Sequence, residues 1–119
     1  MAWSFSSDKP VYLQIANKIT ASVLSGEYKA GEQIPTVRQL ALEAAVNPNT
    51  VQRAFLELEQ KGIVVSMGTV GRYVTSDTAI IEECRQQQIE EIVQNFIKKC
   101  ESLSVGKEEI IDIIEGVLK

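Results

Sequence analysis

Asn47, Asn49, Thr50, Gln52 and Arg53 lie close together in the chain, and each carries a group that can hydrogen-bond a base edge or a phosphate. The amides of asparagine and glutamine can pair with adenine through two bonds. A guanidinium does the same with guanine, and threonine offers a hydroxyl and a methyl. Arg38 adds a cation upstream. Gly68, Gly71 and Arg72 add a segment whose glycines would let main-chain N–H groups approach phosphates closely. This is the chemistry of recognition rather than of bond-making. Histidine is absent, which removes the commonest general base and metal ligand. There is no glycine-rich phosphate loop and no Gly-x-Ser-x-Gly elbow. Cys84 and Cys100 sit on one expected helix, roughly 24 Å apart at 1.5 Å per residue, so they cannot bridge and make a poor start for a zinc site. They read as small apolar residues. Neither catalysis nor a metal nor a cofactor is expected.

Such side chains need a rigid element that projects them. Asn47-Pro48 is a helix start: asparagine caps, and proline at the first helical position forfeits no needed hydrogen bond. The helix runs to about Gln60, with Val51, Ala54, Phe55 and Leu58 as its core stripe and Gly62 as its stop. The residues left outside that stripe are the polar set above. Upstream, Thr36 and Gln39 have capping-box spacing, and Val37, Leu40, Ala41 and Ala44 form the buried side of a second helix. Only residues 45–47 separate the two, which suits a helix-turn-helix corner. An earlier helix, roughly 10–25, carries Tyr12, Ile15, Ala16, Ile19 and Val23 on one stripe and ends at Gly26. Residues 1–9 read as a loose arm anchored by Trp3 and Phe5, and 26–35 as a turn-rich connection. Residues 63–66 and 72–75, rich in β-branched and aromatic side chains around Gly68 and Gly71, read as a β-hairpin. Three helices and then a hairpin is the winged-helix order. The expected fold is mainly α with this small hairpin: a winged helix-turn-helix over 1–77 and a short two-helix arm over 78–119.

The 119 residues carry a net charge of −4, which alone argues against a nucleic-acid partner. The charge is unevenly spread, however. Residues 1–78 hold seven basic and seven acidic side chains, and the whole excess of acid lies in 79–119. The front portion can therefore still present a basic face. Apolar content of 45% is that of an ordinary globular protein. No apolar run is long enough to span a bilayer and the N-terminus lacks a secretory pattern, so a cytoplasmic protein is expected.

Residues 31–41 (GEQIPTVRQLA), 46–55 (VNPNTVQRAF), 58–63 (LEQKGI) and 71–74 (GRYV) together resemble the DNA-binding domain of the GntR family of bacterial regulators. The NPNTV segment and the short tail resemble its YtrA-type branch. The resemblance implies contacts to double-stranded DNA at Arg38, Asn47, Asn49, Thr50, Gln52 or Arg53, and at the wing glycines Gly68 and Gly71; Arg72 beside them is expected to lie along the backbone or the minor groove. Many members have arginine where Pro48 and Gln52 stand here, so direct guanine contacts from those two positions are lost. The wing is also sparse in charge, with Arg72 its only cation. Affinity is then expected to lean on Arg38, Arg53 and nearby lysines.

The tail carries Ile89, Ile92, Val93 and Phe96 on one helix and Ile110, Ile113, Ile114 and Val117 on the next. About 40 residues cannot bury a stable core alone, so a second copy of the chain is the simplest cover, giving a symmetric dimer on a palindromic operator. The alternative is that the tail folds back on its own winged helix. A repressor is the leading functional expectation, with a winged helix used as a protein-interaction module as its rival. The operator, the regulated genes and any small-molecule effector are not legible in the sequence.

Overall fold

The computed structural model describes residues 3–69 and 71–119. Met1 and Ala2 of the expected arm, and Val70 of the expected turn, lie outside the described residues. The elements run α1 (Val11–Leu24), α2 (Val37–Ala44), α3 (Pro48–Gln60), β1 (Val64–Ser66), β2 (Arg72–Val74), α4 (Thr78–Ser102) and α5 (Lys107–Val117). Among the described residues the architecture is the expected one, five helices with one antiparallel hairpin.

The helix starts follow the side chains at their ends. The Thr36 hydroxyl accepts from the Gln39 N–H at 3.1 Å, and the Gln39 side chain accepts from the Thr36 N–H at 2.8 Å, closing both halves of the capping box. The Asn47 side-chain oxygen accepts from the Asn49 N–H at 2.8 Å, with Pro48 as the first residue of α3. Pro10 sits just outside α1 rather than within its first turn, and its carbonyl accepts from Leu13 and Gln14.

The turn between α2 and α3 rests on Ala45, which adopts the left-handed conformation at φ 55. The Val46 N–H donates back to the Ala41 carbonyl at 3.1 Å, the long bond of a Schellman turn. Ser104, at φ 60 after α4, repeats the device, with the Val105 N–H donating to the Cys100 carbonyl.

The chain divides into two units, residues 1–84 and 85–119. The first has a continuous core of Ile15, Ile19, Ile34, Leu40, Val51, Phe55, Leu58, Ile63, Val64 and Val74, all buried. Ile81 and Cys84 of α4 pack against it, so this unit extends seven residues beyond the boundary at 77 expected from sequence. Fully burying a side chain such as Phe55 contributes about 1.5–3 kcal/mol. In the second unit no residue of either helix is buried.

Two expectations need correction. Residues 26–35 are more than a connection. Gly31 and Ile34 donate to the Val74 and Arg72 carbonyls at 3.1 and 3.0 Å, Val74 donates to the Glu32 carbonyl at 2.8 Å, and Gln33 bridges Tyr73. This stretch adds a rudimentary third strand to the hairpin, β1 pairing β2 through Val64–Val74, Val65–Tyr73 and Ser66–Arg72. Nor are residues 3–9 loose. Gln14 on α1 accepts from the Ser6 N–H at 2.9 Å and donates to the Ser6 and Lys9 carbonyls. Trp3 stacks on Phe5, with the Lys18 ammonium 4.6 Å from the Trp3 ring centre.

Candidate nucleic-acid interface

Helix α3 is two-sided. Val51, Ala54, Phe55 and Leu58 are buried, whereas Asn49, Gln52 and Arg53 are exposed and Thr50 is half-buried beside them. In its first turn Pro48 has no N–H, Asn49 donates to the Asn47 side chain, and Thr50 and Val51 donate to the Asn47 carbonyl, so what the turn offers an anion is the positive end of the helix dipole. No acidic side chain stands in that turn. Asn47 is exposed, but its side-chain oxygen serves the cap, so its two amide N–H donors are the groups best placed to meet an acceptor.

The structure gathers Asn49, Thr50 and Arg53 around a shallow depression whose remaining wall is Val11 and Tyr12 of α1. The Arg53 guanidinium lies over the Tyr12 ring, 4.0 Å from Cζ to the ring centre. Tyr12 belongs by spacing to the core stripe of α1. It is half-buried, packed against the core while its ring supports Arg53. Arg38 stands exposed in the first turn of α2, outside this depression.

At the wing, Gly68 and Thr69 are exposed, and Gly68 takes φ +64 with open space around it. Gly71 is different. Its φ is +128, a region that favours glycine, whereas the Gln33 side-chain nitrogen, 2.9 Å from where a Cβ would lie, is the end of a flexible side chain that can swing aside. Arg72, expected at the wing as a DNA contact, is engaged inside the domain. Its Nε donates to Glu59 of α3 at 2.5 Å, and its Cζ lies 4.8 Å from the Phe55 ring centre. The side chains of Arg72 and Glu59 are only 20% and 28% exposed. Arg72 ties the hairpin to α3, and sequence reasoning missed both this tie and Glu59, for no local pattern links residues so far apart.

In the second unit, Val93 and Phe96 of α4 and Ile110 and Ile114 of α5 line one apolar groove together with Ile97 and Ile111. Ile89, Ile92, Ile113 and Val117 are exposed but do not line it. Among the described residues no helix is long and apolar enough to cross a membrane, and no three His, Cys, Asp or Glu side chains cluster as metal ligands would.

Comparison with known proteins bears on this arrangement. The profile of the family described as "Bacterial regulatory proteins, gntR family" matches residues 11–74. The HTH-type transcriptional regulator YhcF of Bacillus subtilis is 35% identical over 93% of this chain and 92% of its own length. The HTH-type transcriptional repressor YtrA of the same organism is 30% identical over 93% of this chain and 86% of its own. A solved GntR family transcriptional regulator from Listeria monocytogenes superposes with a TM-score of 0.88 at 36% identity, covering 94% of this chain and 98% of the other.

Proposed function

The chain belongs to the GntR family of bacterial regulatory proteins, as a helix-turn-helix transcription regulator of the YtrA type, and from that premise we propose that it acts as a homodimeric repressor on a palindromic operator. The observation that carries this reading is the division of α3, with one face sealed in the core and the other presenting Asn49, Gln52 and Arg53 at the helix start. A helix so arranged fits the major groove with its N-terminal residues toward base edges. Arg38 and the wing glycines supply phosphate contacts beside it. The short amides specify sequence, and Arg38 with Arg53 supplies most of the charge attraction.

The groove of the second unit supports the dimer. Phe96, Ile97, Ile111 and Ile114 are exposed in the single chain, and covering them with the same surface of a second copy yields two α3 helices for two half-sites. The likeness to the transcriptional repressor YtrA supports the sign of regulation. A regulator of this kind works in the cytoplasm, where the DNA is.

Selection of bound duplexes from a randomised pool tests the reading. The expected result is an enriched inverted repeat with fixed spacing. Arg38→Ala and Arg53→Ala should each weaken binding to it in a gel-shift titration at fixed salt, with melting almost unchanged. If no duplex is enriched, the assignment of α3 as a reading helix falls. If neither alanine variant weakens binding, the assigned contacts do.

A further inference from the structure

We propose that Tyr12 is a positioning residue for recognition, its ring holding the Arg53 guanidinium flat and so fixing the direction in which α3 offers its one cation to a duplex. The inference rests on the reading of α3 as the reading helix. Arg53 is the only lysine or arginine between Pro48 and Gln60, so its aim matters more than in a helix with several cations. An exposed arginine ordinarily spreads over many rotamers and must give up that freedom on binding. Here the Cζ–centroid distance to Tyr12 is 4.0 Å, shorter than the 4.6 Å of Lys18 on Trp3 or the 4.8 Å of Arg72 on Phe55.

The platform is itself fixed. Tyr12 packs against the core next to Val11, on a helix whose Ile15, Ala16 and Ile19 are fully buried. Among the described residues no carboxylate pairs with Arg53, in contrast to Arg72, which Glu59 holds. Stacking leaves the hydrogen-bonding capacity intact, because the guanidinium N–H groups lie in the plane of the group and the ring covers only one face. The donors therefore remain available at the depression shared with Asn49 and Thr50. Tyr12 thus gives the recognition helix a pre-aimed cation without contacting a base itself.

The test is a double-mutant cycle on the duplex that the wild-type full-length protein enriches from a randomised pool, with thermal midpoints recorded for every variant. Tyr12→Leu is expected to weaken binding by about three- to fivefold per half-site. At about 1.4 kcal/mol per decade this is about 0.7–1 kcal/mol, the size of an exposed cation–π contact. Tyr12→Phe keeps the ring and should bind within about twofold of wild type. In an Arg53→Ala background Tyr12→Leu should cost nothing further. A loss in Tyr12→Phe equal to that in Tyr12→Leu would assign the effect to the hydroxyl and overturn the proposal. So would an equal cost of Tyr12→Leu with and without Arg53, or no cost at all. The wild-type protein gives a readout that needs no variant: the Arg53 δ-protons should show an upfield ring-current shift relative to those of Arg38, and its absence also overturns the proposal. Failure of the wild-type protein to enrich any duplex refutes the functional reading itself, and this inference with it.

Discussion

Replacing Ala45 with glycine should make the protein more stable without touching any packed side chain. Ala45 is exposed, sits between α2 and α3, and holds φ 55 and ψ 48. A left-handed conformation costs an L-residue roughly 1–2 kcal/mol through the approach of Cβ to the carbonyl. Glycine removes that cost but brings a more flexible unfolded chain, worth about 0.5–1 kcal/mol in the other direction. The net expectation is a gain of about 0.5–1 kcal/mol. For a domain of 60–100 residues each kcal/mol moves the midpoint by about 4–8 °C, so Ala45→Gly should melt about 2–8 °C higher. Ala45→Val sharpens the test, since a β-branched residue is a poorer occupant of this region than alanine and the exposed site gives its extra methyls nothing to bury against. That variant should melt below wild type. Thermal unfolding followed by circular dichroism at 222 nm reads both. A lower midpoint for Ala45→Gly, or an unchanged one for Ala45→Val, would show that the turn does not hold its left-handed residue in solution.

Three further expectations follow from other contacts. Arg72→Ala should lower the melting point as well as DNA affinity, because the largely buried pair with Glu59 and the contact with Phe55 together contribute about 0.5–1.5 kcal/mol; a surface phosphate contact would lower affinity alone, and melting curves separate the two. Phe96→Asp and Ile114→Glu place charge in the apolar groove of the second unit and should shift the protein to monomer at micromolar concentration in sedimentation velocity, with loss of tight binding to a two-half-site duplex. Burial pushes the Cys84 thiol above its ordinary range, with Lys61 opposing weakly, so at pH 7.5 Cys84 should be alkylated more slowly than a thiol in a short peptide, as mass spectrometry of the modified protein can show.

The helices were readable from the chain because their signals are local. Thr36 with Gln39, and Asn47 with Pro48, announce the starts of α2 and α3, and period-3.6 apolar spacing announces their buried faces. What escaped were features made of backbone or of distant pairs. Residues 31–34 join β2 through main-chain bonds, which leave no side-chain pattern. Ala45 adopts a conformation usually marked by glycine. Arg72 looked like a wing cation because nothing nearby in the chain hints at Glu59, which reaches it only once the hairpin folds over α3. Tyr12 fitted the apolar stripe of α1, and periodicity is blind to the half of a ring that stays outside the core. In the candidate site, therefore, the sequence named the polar residues of α3, while the structure placed the Tyr12 ring beneath one of them, Arg53.

Arg72 takes part in two joints at once. Its carbonyl accepts from Ile34, two residues ahead of the Thr36 cap of α2, and its side chain reaches Glu59 near the end of α3. In mechanical terms the lead-in to α2, the hairpin and α3 form a closed linkage, with the Ala45 corner as its third joint. Such a frame has no flap: the wing cannot lift while the two helices stay put. Loosening any one joint spreads the strain to the other two, so the amides of Ile34 and Val74, which bond across this frame, should open to solvent exchange in a single event rather than one by one.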